Sequence, residues 1–189
     1  MVIFWGSQSG RAEMLARRVA KSLRDRFNIQ ALAADLSDYD HLHLVELQKN
    51  TPCGFILSTY GDGEPPDNTN GLWTSLEKFE KSGTKLENLR YIIFGLGNSK
   101  YRLFNRVADH VDLTLQRLGA VRYGSAGRGD DANGDTENAF LKWRPGCEEI
   151  LKNELNLHEQ KAVYRPAFLI PSHHGLLFHF STCELGLCR

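Results

Sequence analysis

The 189-residue sequence has no excess of either charge and no long apolar run. Lysine and arginine (23 together) balance aspartate and glutamate (23), so the formal net charge is zero. This balance gives no general attraction to nucleic acid or to an anionic membrane. No stretch approaches the roughly 20 apolar residues that span a bilayer, and the first residues show no signal-peptide pattern. We therefore expect a cytoplasmic protein, or a fragment of a longer one, with no membrane segment and no nucleic-acid partner.

Cysteine and histidine give no indication of a disulfide or metal site. The four cysteines, which form no C-x-x-C pair, are Cys53, Cys147, Cys183 and Cys188. This usage is typical of a reducing compartment. The histidines do not have the spacing of metal ligands, and no Ser–His–Asp or Cys–His arrangement indicates nucleophilic catalysis. We therefore expect no metal site and no catalytic side chain.

The loop at residues 6–10 is the first stretch that indicates a ligand. Its sequence, Gly-Ser-Gln-Ser-Gly, joins an apolar run at residues 1–5 to a helical pattern at residues 11–27. Small residues between a strand and a helix leave unpaired backbone amides at the positive end of the helix dipole, and these amides bind anions. The loop lacks G-x-G-x-x-G and Gly-Lys-Ser/Thr spacing. The hydroxyls of Ser7 and Ser9 favour a phosphate, and the alternative is an ordinary turn with a serine N-cap.

Apolar runs and helical patterns alternate five times, which predicts an α/β doubly wound parallel sheet with helices on both faces. Strands are expected at residues 1–5, 29–34, 53–58, 90–95 and 121–126, and helices at 11–27, 42–47, 69–80, 103–118 and around Phe140. Pro145-Gly146 is expected to kink or split the last helix. The predicted domain spans residues 1–157, a linker follows at 158–170, and residues 171–189, which show no strand or helix period, are interpreted as a disordered tail.

Four of the five predicted strands are followed by glycine-rich loops at the same edge of the sheet. These loops are residues 6–11, 59–68, 96–101 and 127–134. Ligands of such sheets bind beyond the carboxyl ends of the strands, so one ligand is expected to contact all four loops.

Two tyrosines beside glycine-rich turns indicate a flat ring as part of that ligand. Tyr60 and Tyr101 follow the third and fourth strands, where they can stack on both faces of a ring, while Gly61 and Gly97 allow close backbone approach. Asp131 is expected to accept hydrogen bonds from a polyol. A phosphate, a polyol and a flat heteroaromatic ring describe a mononucleotide, and FMN fits best. The alternative for each tyrosine is a half-buried core residue.

Four motifs, GSQSGRAE, STYGDGEPPDN, FGLGNSKYRLFN and GRGDDANG, occur in this order over about residues 1–165. In these motifs the sequence resembles the flavodoxin-type FMN domain of NADPH–haemoprotein reductases, the diflavin reductases. The resemblance implies a flavodoxin-like five-stranded sheet of order 2-1-3-4-5. It also implies an FMN phosphate loop, two ring-binding loops with Tyr60 and Tyr101 on opposite faces, and a further contact. The implied FMN-binding residues are Ser7, Gln8, Ser9, Gly10, Arg11, Ala12, Ser58, Thr59, Tyr60, Gly61, Leu96, Gly97, Asn98, Tyr101, Phe104, Asn105 and Asp131.

The resemblance also implies partners. In such proteins FMN takes electrons from an FAD module that oxidises NADPH and passes them singly to a haem protein. No residues for binding FAD or NADPH follow the domain here, so the chain alone is not expected to oxidise NADPH. A haem-protein acceptor is expected to dock near Asp62, Glu64, Asp67 and Asp130. Two features depart from the family: Arg11 replaces a phosphate-loop threonine, and the net charge is balanced rather than negative.

Three alternatives stay open. The first is a free-standing flavodoxin that uses a separate reductase. The second is a flavin-free module of the response-regulator kind, which is disfavoured because the third strand ends in Ser58-Thr59 rather than in an acceptor aspartate. The third is a nonfunctional fragment of a longer reductase gene.

Overall fold

Strands and helices alternate along the chain in the computed structural model, which describes residues 1–47 and 50–161. The strands are β1 (Val2–Gly6), β2 (Leu32–Asp35), β3 (Cys53–Ser58), β4 (Arg90–Gly97), β5 (Val121–Arg122) and β6 (Gly127–Asp130). The helices are α1 (Arg11–Phe27), α2 (Asn70–Ser82), α3 (Arg106–Arg117) and α4 (Thr136–Glu154). Short 3₁₀ helices occupy Leu36–Asp38, His41–Glu46 and Asp67–Thr69.

The strands form one parallel sheet in the order β2-β1-β3-β4-β5, and β6 also pairs with β4. The predicted fold class and strand order are therefore confirmed. The fifth strand is divided, because β5 pairs with the start of β4 at Arg90 and Tyr91, whereas β6 pairs with its end, from Phe94 to Gly97.

The prediction of a loop that begins at residue 127 was wrong, because residues 127–130 form β6. An ideal Cβ at Gly127 would lie 2.2 Å from the Phe94 ring and 2.7 Å from the Trp143 ring, and one at Gly129 would lie 2.9 Å from Thr136. These glycines therefore allow β6 to fit between β4 and α4, and they do not mark a turn.

Several other element boundaries differ from the prediction. The second strand is Leu32–Asp35 instead of residues 29–34, the short helix at 42–47 is a 3₁₀ helix, and β4 continues to Gly97. The third long helix begins at Arg106 rather than at residue 103, because Asn105 precedes it with a left-handed φ of 56°. That conformation stops a helix from extending backwards through it.

Two apolar layers cover the sheet and confirm helices on both faces. Phe4, Phe55 and Leu57 point to the layer that α2 and α3 complete, whereas Ile3 and Ile56 point to the layer that α1 and α4 complete. Alternate residues of each strand therefore supply opposite faces, as expected for a sheet buried on both sides. Both layers leave the carboxyl ends of the strands uncovered, and the site lies there.

Helix α4 continues through Pro145, so the predicted split was wrong, whereas a kink at Pro145-Gly146 stays a prediction. Pro145 cannot donate to the Leu141 carbonyl, but both residues are exposed, so water can satisfy that carbonyl. The buried residues Phe140, Trp143, Cys147 and Leu151 keep helical spacing across the proline, and their burial favours one continuous helix.

The start of the predicted linker contacts α1. The Gln160 amide donates to the Arg26 carbonyl at 2.6 Å, and Glu159 pairs with the Arg26 guanidinium at 2.7 Å. The rest of the linker and the predicted tail lie outside the described residues, so the division at 158–170 and 171–189 stays a prediction. Among residues 1–47 and 50–161, no helix combines the length and apolar character that crossing a membrane requires.

Candidate functional site

A cleft of ≈ 380 Å³ opens at the carboxyl edge of the sheet. Its size falls within the range of small-molecule sites. All four predicted loops contribute to it, as does the first turn of α4. Its lining residues are Ser9, Arg11, Ser58, Thr59, Tyr60, Gly61, Leu96, Gly97, Asn98, Tyr101, Leu103, Phe104, Asp131 and Thr136. Most of the predicted site residues are therefore brought together. Leu103 lies within the FGLGNSKYRLFN motif but was not named as a site residue, and Thr136 lies outside all four motifs and was missed.

The loop between β1 and α1 leaves its backbone amides open. Gly10 is the N-cap of α1, with a left-handed φ of 76° and no side-chain cap, so the alternative of a serine N-cap was wrong. The amides of Gln8, Ser9 and Gly10 donate to no other described residue. These free donors lie at the positive end of α1, where they can bind an anion.

Asn68 fixes this loop, although the sequence reasoning assigned it no role. Its Oδ1 accepts from the Ser7 amide at 3.1 Å, and its Nδ2 donates to Asp35 Oδ1 at 3.0 Å. The hydroxyls of Ser7 and Ser9 lie 3.5 Å apart. The available signal was the position of Asn68 at the end of the loop after β3, where it closes the STYGDGEPPDN motif.

Tyr60 is held on a tight turn at the end of β3. Its amide donates to the Glu64 carbonyl at 2.9 Å, and the Glu64 amide returns a bond to the Tyr60 carbonyl at 2.8 Å. A Cβ on Gly63 would lie 2.8 Å from Leu103, so this turn packs directly against the loop after β4. The Tyr60 side chain is 57% exposed and borders the cleft.

Tyr101 borders the cleft from the loop after β4 and is 55% exposed. Its amide donates to the Asn98 carbonyl at 3.0 Å, and the Ser99 amide donates to Asp130 Oδ1 at 2.9 Å. Hydrogen bonds from Ser99, and from the Ala132 amide, hold the pKa of Asp130 below its ordinary value. Asp130 therefore remains ionised and ties the Tyr101 loop to β6.

Some predicted site residues lie behind the cleft lining. Ala12 is fully buried in the layer beneath α1, so only its backbone can contact a ligand. The fully buried Asn105 donates from Nδ2 to the Gly129 carbonyl at 3.4 Å and packs against Gly95 and Gly97. Ser7, Gln8 and Gly10 also do not line the cleft. Contact of these residues with a ligand stays a prediction.

Arg11 and Asp131 form an ion pair across the cleft. The sequence reasoning assigned each of them to the ligand separately and did not predict that they pair. Arg11 begins α1 and Asp131 follows β6, and both side chains are 49% exposed. The Asp131 amide donates to the Gly97 carbonyl at 2.9 Å, so the carboxylate extends from a fixed backbone.

The rim of the cleft carries charges of both signs. Asp62, Glu64 and Asp67 are exposed and make no ion pair with another described residue, whereas Lys100 and Arg102 are exposed beside Tyr101. Within residues 1–47 and 50–161, no group of three His, Cys, Asp or Glu side chains could hold a metal ion.

A family model described as flavodoxin matches residues 3–143. NADPH–cytochrome P450 reductase of Aspergillus fumigatus is 41% identical over 193 residues, which cover 98% of this chain and 28% of that protein. The reductase of the same name from Phanerodontia chrysosporium is 38% identical over 174 residues, covering 90% of this chain and 24% of that protein. The chain thus spans about a quarter of the length of these relatives.

Solved flavodoxins share the fold. Flavodoxin 1 of Bacillus cereus aligns with a TM-score of 0.62 and 19% identity, over 78% of this chain and 96% of that protein. A flavodoxin of Streptococcus pneumonia TIGR4 aligns with a TM-score of 0.62 and 23% identity, over 82% and 96% respectively. At these identities the likeness supports the fold alone.

Proposed function

The chain belongs to the flavodoxin family, whose domains bind FMN, and from this premise we propose that it is the electron-transfer domain of an NADPH–haemoprotein reductase. In this proposal FMN receives electrons from an FAD/NADPH module outside this chain, and a haem protein accepts them one at a time. The reductase relatives, which match almost the whole chain, support this proposal over a free-standing flavodoxin. We also propose a cytoplasmic location, supported by the free and buried Cys53 and Cys147.

The observation that carries the proposal is the joint placement of two exposed tyrosines and a donor-rich loop around one cleft. Tyr60 and Tyr101 are held by backbone hydrogen bonds on neighbouring loops, while the open amides of residues 8–10 lie at the start of α1. A Cβ on Gly61 would meet no atom within 4 Å, so the backbone there faces open space. These residues fit a phosphate joined to a flat ring.

Each part of the cleft has a distinct task in holding FMN. The hydroxyls of Ser7 and Ser9 and the neighbouring amides would bind the phosphate, Asp131 would accept from the ribityl hydroxyls, and the two tyrosines would enclose the ring. Bound FMN supplies the one-electron redox chemistry. The tyrosines would exclude water from the ring faces and fix the orientation of the ring.

The exposed carboxylates beside Tyr60 are the proposed docking contacts for a haem protein. Asp62, Glu64 and Asp67 follow the tyrosine directly and are not engaged in ion pairs with other described residues. Asp130 is less suited to this role than the sequence implied, because its carboxylate already binds the amides of Ser99 and Ala132. Attraction through exposed carboxylates weakens as ionic strength rises.

A spectroscopic experiment tests the proposed cofactor. Purified chain is mixed with FMN and desalted, and the absorption spectrum is recorded beside that of a Tyr60→Ala, Tyr101→Ala double variant. We expect flavin absorption to stay with the wild-type chain and to be reduced in the variant. Dithionite should bleach the retained flavin, whereas NADPH alone should not. Loss of all flavin from a folded wild-type chain would contradict the proposal.

Docking is tested by reducing the FMN-loaded chain with dithionite, removing the excess dithionite anaerobically, and mixing the chain with ferric cytochrome c as a probe in a stopped-flow instrument. Replacing Asp62, Glu64 and Asp67 by their amides should slow haem reduction at low salt and flatten its dependence on salt. Glu87→Gln is the matched control, because Glu87 is exposed just before β4, at the opposite edge of the sheet. Equal rates for the triple variant and the control would refute these docking contacts.

A further inference from the structure

The ion pair between Arg11 and Asp131 crosses the cleft at the place where the phosphate loop faces the end of β6. We infer that Arg11 exchanges Asp131 for the phosphate when FMN binds, and that this exchange makes Arg11 the residue that selects FMN over unphosphorylated riboflavin. The inference rests on the proposed function, because it concerns the same cleft.

The position of Arg11 supports this exchange. Arg11 is the first residue of α1, directly after Gly10, and its side chain lines the cleft together with Ser9. The open amides of residues 8–10 therefore directly precede the residue that carries the guanidinium. Amides at a helix start and an adjacent guanidinium together favour a phosphate more than either group does alone.

The way Arg11 is paired leaves it able to change partner. Only one guanidinium nitrogen, Nη1, contacts Asp131. By contrast, Arg18 makes a bidentate pair with Glu137, with both bonds at 2.7 Å. Arg11 therefore keeps donors that no other described residue uses. A half-exposed single contact contributes little to stability, whereas the several oxygens of a phosphate match the guanidinium fork.

The charge of Asp131 explains why the guanidinium is needed. The Asp131 backbone is fixed by its bond to the Gly97 carbonyl, so its carboxylate stays beside the cleft when Arg11 leaves it. A carboxylate disfavours a nearby phosphate through like-charge repulsion, unless a cation lies near both. Arg11 can be the cation that lies near both the Asp131 carboxylate and the phosphate. The released carboxylate can then accept hydrogen bonds from neutral hydroxyl groups.

The test compares FMN with riboflavin as probes. Quenching of flavin fluorescence gives the dissociation constants of both for the full chain, its Arg11→Gln variant and Arg17→Gln. Arg17 is the matched control, because it also forms an exposed arginine–carboxylate pair on α1, with Glu13. We expect Arg11→Gln to weaken FMN binding roughly ten- to a hundredfold, as for a lost charge-assisted hydrogen bond, and to leave riboflavin binding within about twofold. The salt dependence of FMN binding should also decrease, and Arg17→Gln should change neither constant.

Equal weakening of FMN binding and riboflavin binding by Arg11→Gln would overturn the exchange. Arg11 would then only hold the loop after β1 and the loop after β6 together through its ion pair. Asp131→Asn gives a second check, since it removes the competing carboxylate and should keep or increase the preference for FMN. Loss of that preference in Asp131→Asn would likewise overturn the inference. A folded wild-type chain that binds neither flavin would instead contradict the proposed function itself, so the two failures are distinguishable.

Discussion

Gly97 is a position where one added methyl group should disturb both the fold and the cleft. An ideal Cβ at this end of β4 would lie 2.8 Å from the Asn105 backbone nitrogen and 3.0 Å from the Phe104 ring. The Asn105 backbone cannot easily retreat, because this residue is fully buried and its Nδ2 donates to the Gly129 carbonyl at 3.4 Å. Gly97→Ala should therefore force residues 104–105 away from β4.

The expected loss follows from overpacking. Forcing a methyl group into a well-packed interior typically costs about 1–3 kcal/mol of unfolding free energy. Gly146→Ala is the matched control, since Gly146 lies within α4 and a Cβ there would meet no atom within 4 Å. Alanine in a helix interior is favoured over glycine by about 0.5–1 kcal/mol, so the control should stabilise the chain.

Urea unfolding followed by tryptophan fluorescence measures both variants, and flavin titration measures the cleft. Because Phe104 lines the cleft, Gly97→Ala should also weaken FMN binding. An unfolding free energy for Gly97→Ala that lies within about 0.5 kcal/mol of wild type would refute the reasoning, since ordinary surface substitutions fall in that range. It would mean that residues 104–105 move away from β4 without a loss of unfolding free energy.

Three further predictions concern the cofactor, the core and pH. In fluorescence titrations, Tyr101→Ala should weaken FMN binding by about 0.5–1.5 kcal/mol, while Tyr101→Phe should preserve it. An FMN affinity of Tyr101→Ala equal to that of the wild-type chain would refute stacking. Arg26→Gln leaves the buried Glu148 carboxylate with one cationic partner, Arg144, at 3.5 Å. The free energy of urea unfolding should therefore fall by about 1–3 kcal/mol, and no fall would mean that Arg144 alone stabilises the carboxylate. Burial lowers the pKa of His41, so the unfolded state binds its proton more readily and stability falls as pH drops below about 6.5. His41→Phe should lessen this pH-dependent fall, measured as the urea midpoint. The same dependence of the midpoint on pH in His41→Phe and in the wild-type chain would show that His41 does not cause the fall.

The apolar pattern sufficed to predict the alternation of strands and helices and their buried faces, whereas the strand order came from the family resemblance. The buried residues of α1 recur at helical spacing, and the apolar run at residues 53–58 became β3 without a shift. The prediction failed where a residue had a tertiary role instead of a local one. Gly127 resembles a turn residue in sequence, but Phe94 and Trp143 leave no room for a side chain there. Pro145 resembles a helix breaker, but burial on both sides of it outweighs its missing bond.

The site was predictable at the level of loops but not of side-chain pairs. Parallel strands bring their carboxyl ends together, so the glycine-rich loops had to meet once the alternation was recognised. The pairing of Arg11 with Asp131 depends on side-chain reach across the cleft, and no local pattern at either residue reports it. The same holds for Asn68, whose partners Ser7 and Asp35 lie on two other loops.

Gly61 and Gly97 show why a glycine-rich motif does not by itself define a site's geometry. Gly61 needs glycine for its backbone, because φ is +48° and a Cβ would meet only open space. Gly97 needs glycine for its surroundings, because a Cβ would contact Asn105 at 2.8 Å. At Gly61 the backbone is left open to an approaching ligand, whereas at Gly97 the backbone packs tightly against Asn105. The motif therefore predicts which loops contact the ligand, and the two different requirements determine the shape of the cleft there.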